Sequence, residues 1–193
     1  MSVFRIFVSV VLAAVLAGCS ADKPTEFLGT DLSGTDYGKA LSMPDTTGEL
    51  RTLEDFSGKV TVVFFGFTQC PDICPTALAE MAHTLELLDD QANNVQVVFI
   101  TVDPERDTPE ILQEYVQAFD DRFMGLTGSD KQLEKTAKSF KVYYARAPEN
   151  ATEDYSMDHS ASFYVFDQKG EPRVLISGDA PADEIASDIR QLL

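Results

Sequence analysis

Cys70 and Cys74 stand four positions apart in the run Phe67-Thr68-Gln69-Cys70-Pro71-Asp72-Ile73-Cys74-Pro75-Thr76, and this spacing is where chemistry is first legible. Two thiolates are soft donors that select Cu(I), Zn(II) or an iron–sulfur site. The same pair could instead attack disulfides. A metal held by two thiolates is short of a ligand, and only His83 and His159 could add an imidazole. His83 falls in a helical pattern nine residues beyond Cys74, about 13 Å further along the axis at 1.5 Å per residue. It lies opposite the apolar stripe and reads as a surface histidine. His159 lies in the polar segment Tyr155-Ser156-Met157-Asp158-His159-Ser160, just before a strand. It is either the third ligand or an ordinary loop histidine. A Cys₂His set suits trigonal Cu(I), and Cu(II) with a further donor. Structural zinc usually takes a fourth protein ligand, which Asp158 or Met157 could supply.

The elements around the thiols decide whether they can converge. Val60–Gly66 is a continuous apolar run with β-branched and aromatic residues, a strand buried on both faces. Thr76–Asp90 carries apolar residues at Leu78, Met81, Leu85 and Leu88, a helical stripe. The cysteines therefore occupy a strand-to-helix turn. Free N–H groups and the positive dipole end there favour thiolate over thiol, and Pro75 fits the first helical turn.

The alternation continues along the chain. Val95–Val102 reads as a second buried strand, and Pro109–Phe119 as a helix introduced by Asp107-Thr108-Pro109-Glu110. Phe123–Thr127 is a short strand, Ser129–Phe140 a helix with Ser129 as its cap, and Val142–Ala145 a further strand. Ser162–Phe166 and Arg173–Ile176 form two strands joined through Gln168-Lys169-Gly170, and Pro181–Leu193 is a closing helix. Strands alternating with helices predict an α/β layer fold. A final antiparallel hairpin followed by a helix narrows this to a thioredoxin-like arrangement. In such a fold the loop carrying His159 ends beside the cysteine turn.

The N-terminus bounds the compartment. Arg5 is followed by an apolar run from Ile6 to Ala17. That run is shorter than the roughly 20 residues a spanning helix needs and has the layout of an export signal. It ends in Leu16-Ala17-Gly18-Cys19, which resembles a bacterial lipoprotein box, with Cys19 as the lipidated residue. The expected organisation is a signal peptide over 1–18, a lipidated N-terminus and Gly/Thr/Asp/Ser-rich linker over 19–36, and one domain over 37–193. The formal net charge is −17, which excludes nucleic acid and repels anionic lipid heads. With Cys19 lipidated, an exported domain holds two thiols and no other. Outside the cytoplasm such a pair oxidises unless reduced or ligated. As a structural staple it would close too small a loop to stabilise much.

Three blocks together, FFGFTQCPDICPT at 64–76, TVDPERDTPE at 101–110 and YSMDHSASFYVFD at 155–167, resemble the Sco/SenC copper chaperones of cytochrome c oxidase assembly. The resemblance runs from about Phe27 to the end. It implies a thioredoxin-like fold, a central mixed sheet flanked by helices, with a β-hairpin insertion and a membrane or lipid anchor on the extracytoplasmic side. It implies copper, as Cu(I) or Cu(II), on Cys70, Cys74 and His159. Asp103 and Asp158 become candidates for tuning those ligands, although read by itself Asp103 is a strand-end turn residue.

The family's role would be to deliver copper to the dinuclear copper site of the oxidase, or to reduce the cysteines that will hold it. The partners implied are the copper-bearing oxidase subunit and another periplasmic copper carrier or thiol reductase. The chain is then a carrier rather than an enzyme. Gln69 stands where the family often has His, and Leu41–Arg51 fits its early strand-turn pattern loosely. A thiol–disulfide oxidoreductase working through Cys70 and Cys74 is the main alternative. Against it stand three intervening residues instead of two, and Asp158-His159-Ser160 where thioredoxins place a cis-proline. A copper buffer that never hands its metal on has the same sequence signature.

Overall fold

The computed structural model describes residues 26–147 and 155–193. The export signal, Cys19 and the first part of the linker lie outside the described residues. In chain order the strands are β1 (Thr30–Asp31), β2 (Met43–Pro44), β3 (Leu50–Arg51), β4 (Val60–Gly66), β5 (Val95–Thr101), β6 (Met124–Leu126), β7 (Tyr144–Arg146), β8 (Met157–His159), β9 (Ser162–Phe166) and β10 (Pro172–Ser177). The helices are α1 (Ile73–Leu88), α2 (Pro109–Gln117), α3 (Asp130–Phe140) and α4 (Ala182–Arg190).

Every residue of β4 is buried. Successive side chains point to opposite faces, so both faces of the sheet are covered at this strand. Around it the sheet has the order β1-β10-β9-β4-β5-β6. β4, β5 and β6 run parallel, while β9 returns antiparallel to β4 and pairs antiparallel with β10. The sheet is therefore mixed, as expected of a thioredoxin-like fold.

The helix stripes anchor this sheet. In α1 the buried residues are Cys74, Ala77, Leu78, Met81, Thr84, Leu85 and Leu88, a helical repeat one turn longer than the apolar residues alone define. Thr84 Oγ1 donates to the Ala182 carbonyl at 3.3 Å, and Glu80 accepts from the Ala182 N–H at 3.0 Å, so α1 holds the start of α4. Thr108 caps α2 by accepting from the Ile111 N–H, with Pro109 next in line. Ser129 and Gln132 form the capping box of α3.

Two features depart from the sequence expectations. Thr30–Asp31 lies in the stretch read as linker, yet it adds an edge strand to β10. Asp188 of α4 accepts the N–H groups of Leu28 (2.8 Å) and Gly29 (2.9 Å). A two-residue strand leaves no period to read. His159, expected in a loop, ends β8, whose partner β7 places Tyr144 opposite it. This antiparallel ribbon lies between α3 and β9 and is the expected β-hairpin insertion. Among the described residues no peptide bond is cis, and no helix is long and apolar enough to cross a membrane.

Candidate metal centre

The strand-to-helix turn is built so that its sulfurs face inward at different depths. β4 ends at Gly66, where a Cβ would come within 2.7 Å of Cys74 Sγ. The turn is then held by Asp107, a fully buried carboxylate. It accepts the Thr68 N–H at 3.0 Å, the Thr68 hydroxyl at 2.6 Å and the Thr101 hydroxyl at 2.5 Å. Cys70 N–H closes a tight turn onto the Phe67 carbonyl at 3.3 Å. Cys70 is left partly accessible, whereas Cys74, on the buried stripe of α1, has no exposed surface.

His159 approaches from the ribbon. Its Nδ1 is 3.1 Å from the Ser160 carbonyl oxygen, which can only accept, so Nδ1 carries the proton. In the neutral ring Nε2 is then the free lone pair, and it points at Cys74 Sγ across 3.4 Å. A backbone carbonyl that fixes the tautomer in this way leaves the other nitrogen ready for a metal. The ring stands edge-on to Phe64 and Phe67, at interplanar angles of 88° and 90°. Burial in this aromatic surround holds the ring below the ordinary histidine range and keeps it neutral. The ligand atoms of Cys70, Cys74 and His159 all lie within 4.8 Å of one another. Cys70 and His159 border a cleft walled by Phe67, Ile73, Tyr143 and residues 156–160, with Cys74 buried behind them.

The family model described as SCO1/SenC matches residues 30–193. The chain belongs to the SCO1/SenC family. Among relatives, it is 40% identical over 134 residues to the SCO2-like protein RP587 of Rickettsia prowazekii, covering 69% of this chain and 65% of that protein. It thus spans less than two thirds of that relative's length. Among solved structures, ScoI of Bradyrhizobium japonicum with copper bound is 34% identical, with a TM-score of 0.72 over 86% of this chain and 99% of that one. BsSco, described as having a disulfide switch and as a member of the Sco family of cytochrome c oxidase assembly proteins, is 28% identical, with a TM-score of 0.64 over 86% and 96%.

In this SCO1/SenC chain the three donors read from sequence converge, and His83 lies exposed on α1 as expected. The thiolate expected at the helix start does not hold at Cys74. Burial pushes its thiol well above the ordinary cysteine range, and the nearby Cys70 and Asp107 act in the same direction. The dipole of α1 acts on a sulfur with no water to replace, and desolvation outweighs it.

Asp103 is buried, takes the Tyr155 hydroxyl at 2.6 Å, and pairs with Arg106. It belongs to a network beside the candidate ligands and is not one of the converging donors. Asp158 is exposed on the ribbon, opposite Ala145, and also falls outside that donor group. Sequence reasoning assigned Asp107 to the start of α2 and gave Arg106 no role. Both act on the cysteine turn through contacts that cross 37 to 39 positions, and no local pattern announces them.

Proposed function

We propose that this chain is a copper metallochaperone. In this reading Cys70, Cys74 and His159 hold one copper ion and pass it to the dinuclear copper site of cytochrome c oxidase. The observation that carries the reading is the donor set itself: two sulfurs and an unprotonated Nε2 within 4.8 Å of one another. No carboxylate joins that set among the described residues, so it matches three-coordinate Cu(I) better than structural zinc. The copper-bound relative and the oxidase-assembly description of the BsSco family support cargo and destination.

The unequal depth of the thiols suits a carrier. Cys70 borders the open cleft, so a recipient's thiolate or imidazole can reach the copper there and replace Cys70 or His159 first. Cys74, with no exposed surface, is the last donor released, and it recovers its proton as copper leaves. The chain is held at the extracytoplasmic membrane face by lipid on Cys19. The layout Leu16-Ala17-Gly18-Cys19 after an apolar run supports this. A linker short enough to keep the domain near the bilayer then follows.

The test is a Cu(I) titration of the reduced full chain in detergent against a competing chelator. It is repeated with Cys70→Ser, Cys74→Ser and His159→Ala. The parent is expected to hold one copper far more tightly than any variant. Equally weak binding by all four sinks the proposal. For the anchor, Cys19→Ala is expected to leave the membrane fraction, and retention there overturns that part.

A second reading, a reductase that prepares the oxidase cysteines, is favoured by one observation. Cys70 and Cys74 are both free thiols close enough to meet. Rapid reduction of disulfide substrates by the metal-free chain would favour it.

A further inference from the structure

The two segments that carry the ligands are far apart in sequence, and one side chain touches both. Arg106 lies in the turn between β5 and α2. Its Nη1 donates to Gln69 Oε1 at 3.1 Å, on the residue preceding Cys70. The same nitrogen donates to the Tyr155 carbonyl at 2.7 Å, four residues before His159. Its Nε is paired with Asp103, which also receives the Tyr155 hydroxyl. The guanidinium lies 3.6 Å from the centroid of the Tyr155 ring and 5.8 Å from that of Phe67. Phe67 in turn stands edge-on to His159 and accepts the Cys70 N–H. The Tyr155 ring also meets Arg146, 4.1 Å from its centroid, and Arg146 is paired with Glu105.

From this geometry we infer that Arg106 is the positioning residue of the metal centre. It clamps the turn carrying Cys70 and Cys74 against the ribbon carrying His159. The chemistry explains the residue type. Three polar partners and a stacked ring need a planar fork with several donors, and a lysine ammonium offers neither the plane nor the reach. Without the clamp no hydrogen bond among the described residues links Gln69 to Tyr155, the ribbon moves away, and His159 no longer covers Cys74. The clamp acts on the bare chain. Only its consequence for copper rests on the proposed function.

The test therefore has two arms on the reduced full chain. In the metal-free arm, iodoacetamide alkylation of Cys70 and Cys74 is followed by peptide mass spectrometry well below the thermal midpoint. Arg106→Ala is expected to accelerate Cys74 alone by about ten- to a hundredfold, the range spanned by a lost hydrogen bond to a charged group. Arg106→Lys should fall between. In the copper arm, one equivalent of Cu(II) is added and the thiolate charge-transfer spectrum recorded. Arg106→Ala should approach the His159→Ala spectrum, and the double variant should lose nothing further.

Parental alkylation of Cys74 in Arg106→Ala overturns the inference. So does equal acceleration of both cysteines with a parental copper spectrum, the mark of a merely structural contact. Should Arg106→Ala not fold, Tyr155→Leu removes the stacked ring while keeping the charge, and the same two readouts decide. If the parent binds no copper while Cys74 is selectively exposed in Arg106→Ala, the proposed function fails and the clamp stands.

Discussion

The Cys74 sulfur occupies the space that a side chain at residue 66 would fill. A Cβ on Gly66 would stand 2.7 Å from Cys74 Sγ and 2.9 Å from the Phe99 ring. Both neighbours belong to the packed core, so neither can swing away cheaply. Gly66→Ala is expected to cost about 1–3 kcal/mol of stability, the usual range for an added methyl in a full core. It should also weaken copper binding, because the sulfur that must move is a proposed ligand. Urea denaturation and Cu(I) competition on the same variant check both. Parental values in both would show that the α1 start can slide without consequence.

Copper binding is expected to strengthen with pH. Burial raises the Cys74 thiol, so the bare centre keeps that proton at neutral pH and binding must expel it. Burial lowers His159, whose ring is already neutral and releases nothing. Each thiol proton expelled makes the apparent affinity rise about tenfold per pH unit. Chelator competition at successive pH values between 6 and 8 measures the slope. His159→Ala should lower the affinity and leave the slope unchanged. A flat profile would mean that Cys74 is already a thiolate before metal arrives.

What the sequence made legible, and what it did not, follows from the range of the interactions. β4, β5 and α1 to α4 were readable because burial imposes a period on consecutive residues. The fate of Cys74 was readable in principle. The stripe Leu88, Leu85, Met81, Leu78 continues back by one turn to Cys74, so the second thiol had to be the buried one. The expected thiolate came from weighing the dipole of α1 without that burial. β1 was too short to carry a pattern, and Asp188, which pins it, is 160 positions from Leu28. The convergence of His159 on the cysteines rests on tertiary placement, which the family blocks supplied and periodicity could not. Arg106 and Asp107 stayed hidden for the same reason, since their partners lie on other segments.

Asp45 makes a pH-dependent contribution to stability of the opposite kind from a buried thiol. It is nearly inaccessible, and burial alone would raise its carboxyl. The Thr47 hydroxyl, Arg51 and the N–H groups of Thr47 and Glu49 outweigh burial and hold it below the ordinary aspartate value. A lowered folded-state pKa stabilises the fold above the unfolded value of about 3.9, and that stability is lost as pH falls through the folded value. Asp45→Asn is expected to cost about 1–3 kcal/mol at pH 7. The gap between variant and parent should close below about pH 3.9. Denaturation curves at pH 7 and at several acid pH values test this. A gap that persists undiminished in acid would assign the loss to geometry and not to charge.

Asp107 holds the cysteine turn to β5, and its bonds to Thr68 and Thr101 should be energetically coupled to the proposed copper ligands. Removing the carboxylate leaves the half-buried Thr68 N–H without its acceptor and the Thr101 hydroxyl with no acceptor for its proton, although Thr101 Oγ1 still accepts the Asp103 N–H at 3.0 Å. Asp107→Ala is expected to cost about 2–4 kcal/mol, near the upper range for a buried network. Thr68→Val removes the hydroxyl and keeps the backbone bond, so it should cost less. The double variant should cost less than the two together by about 0.5–3 kcal/mol, the coupling typical of contacting residues. Cu(I) affinity should follow the same order, because Thr68 lies two residues before Cys70 and fixes where that sulfur stands. Strict additivity in stability, with unchanged copper affinity in Asp107→Ala, would mean that the turn keeps its shape without this anchor.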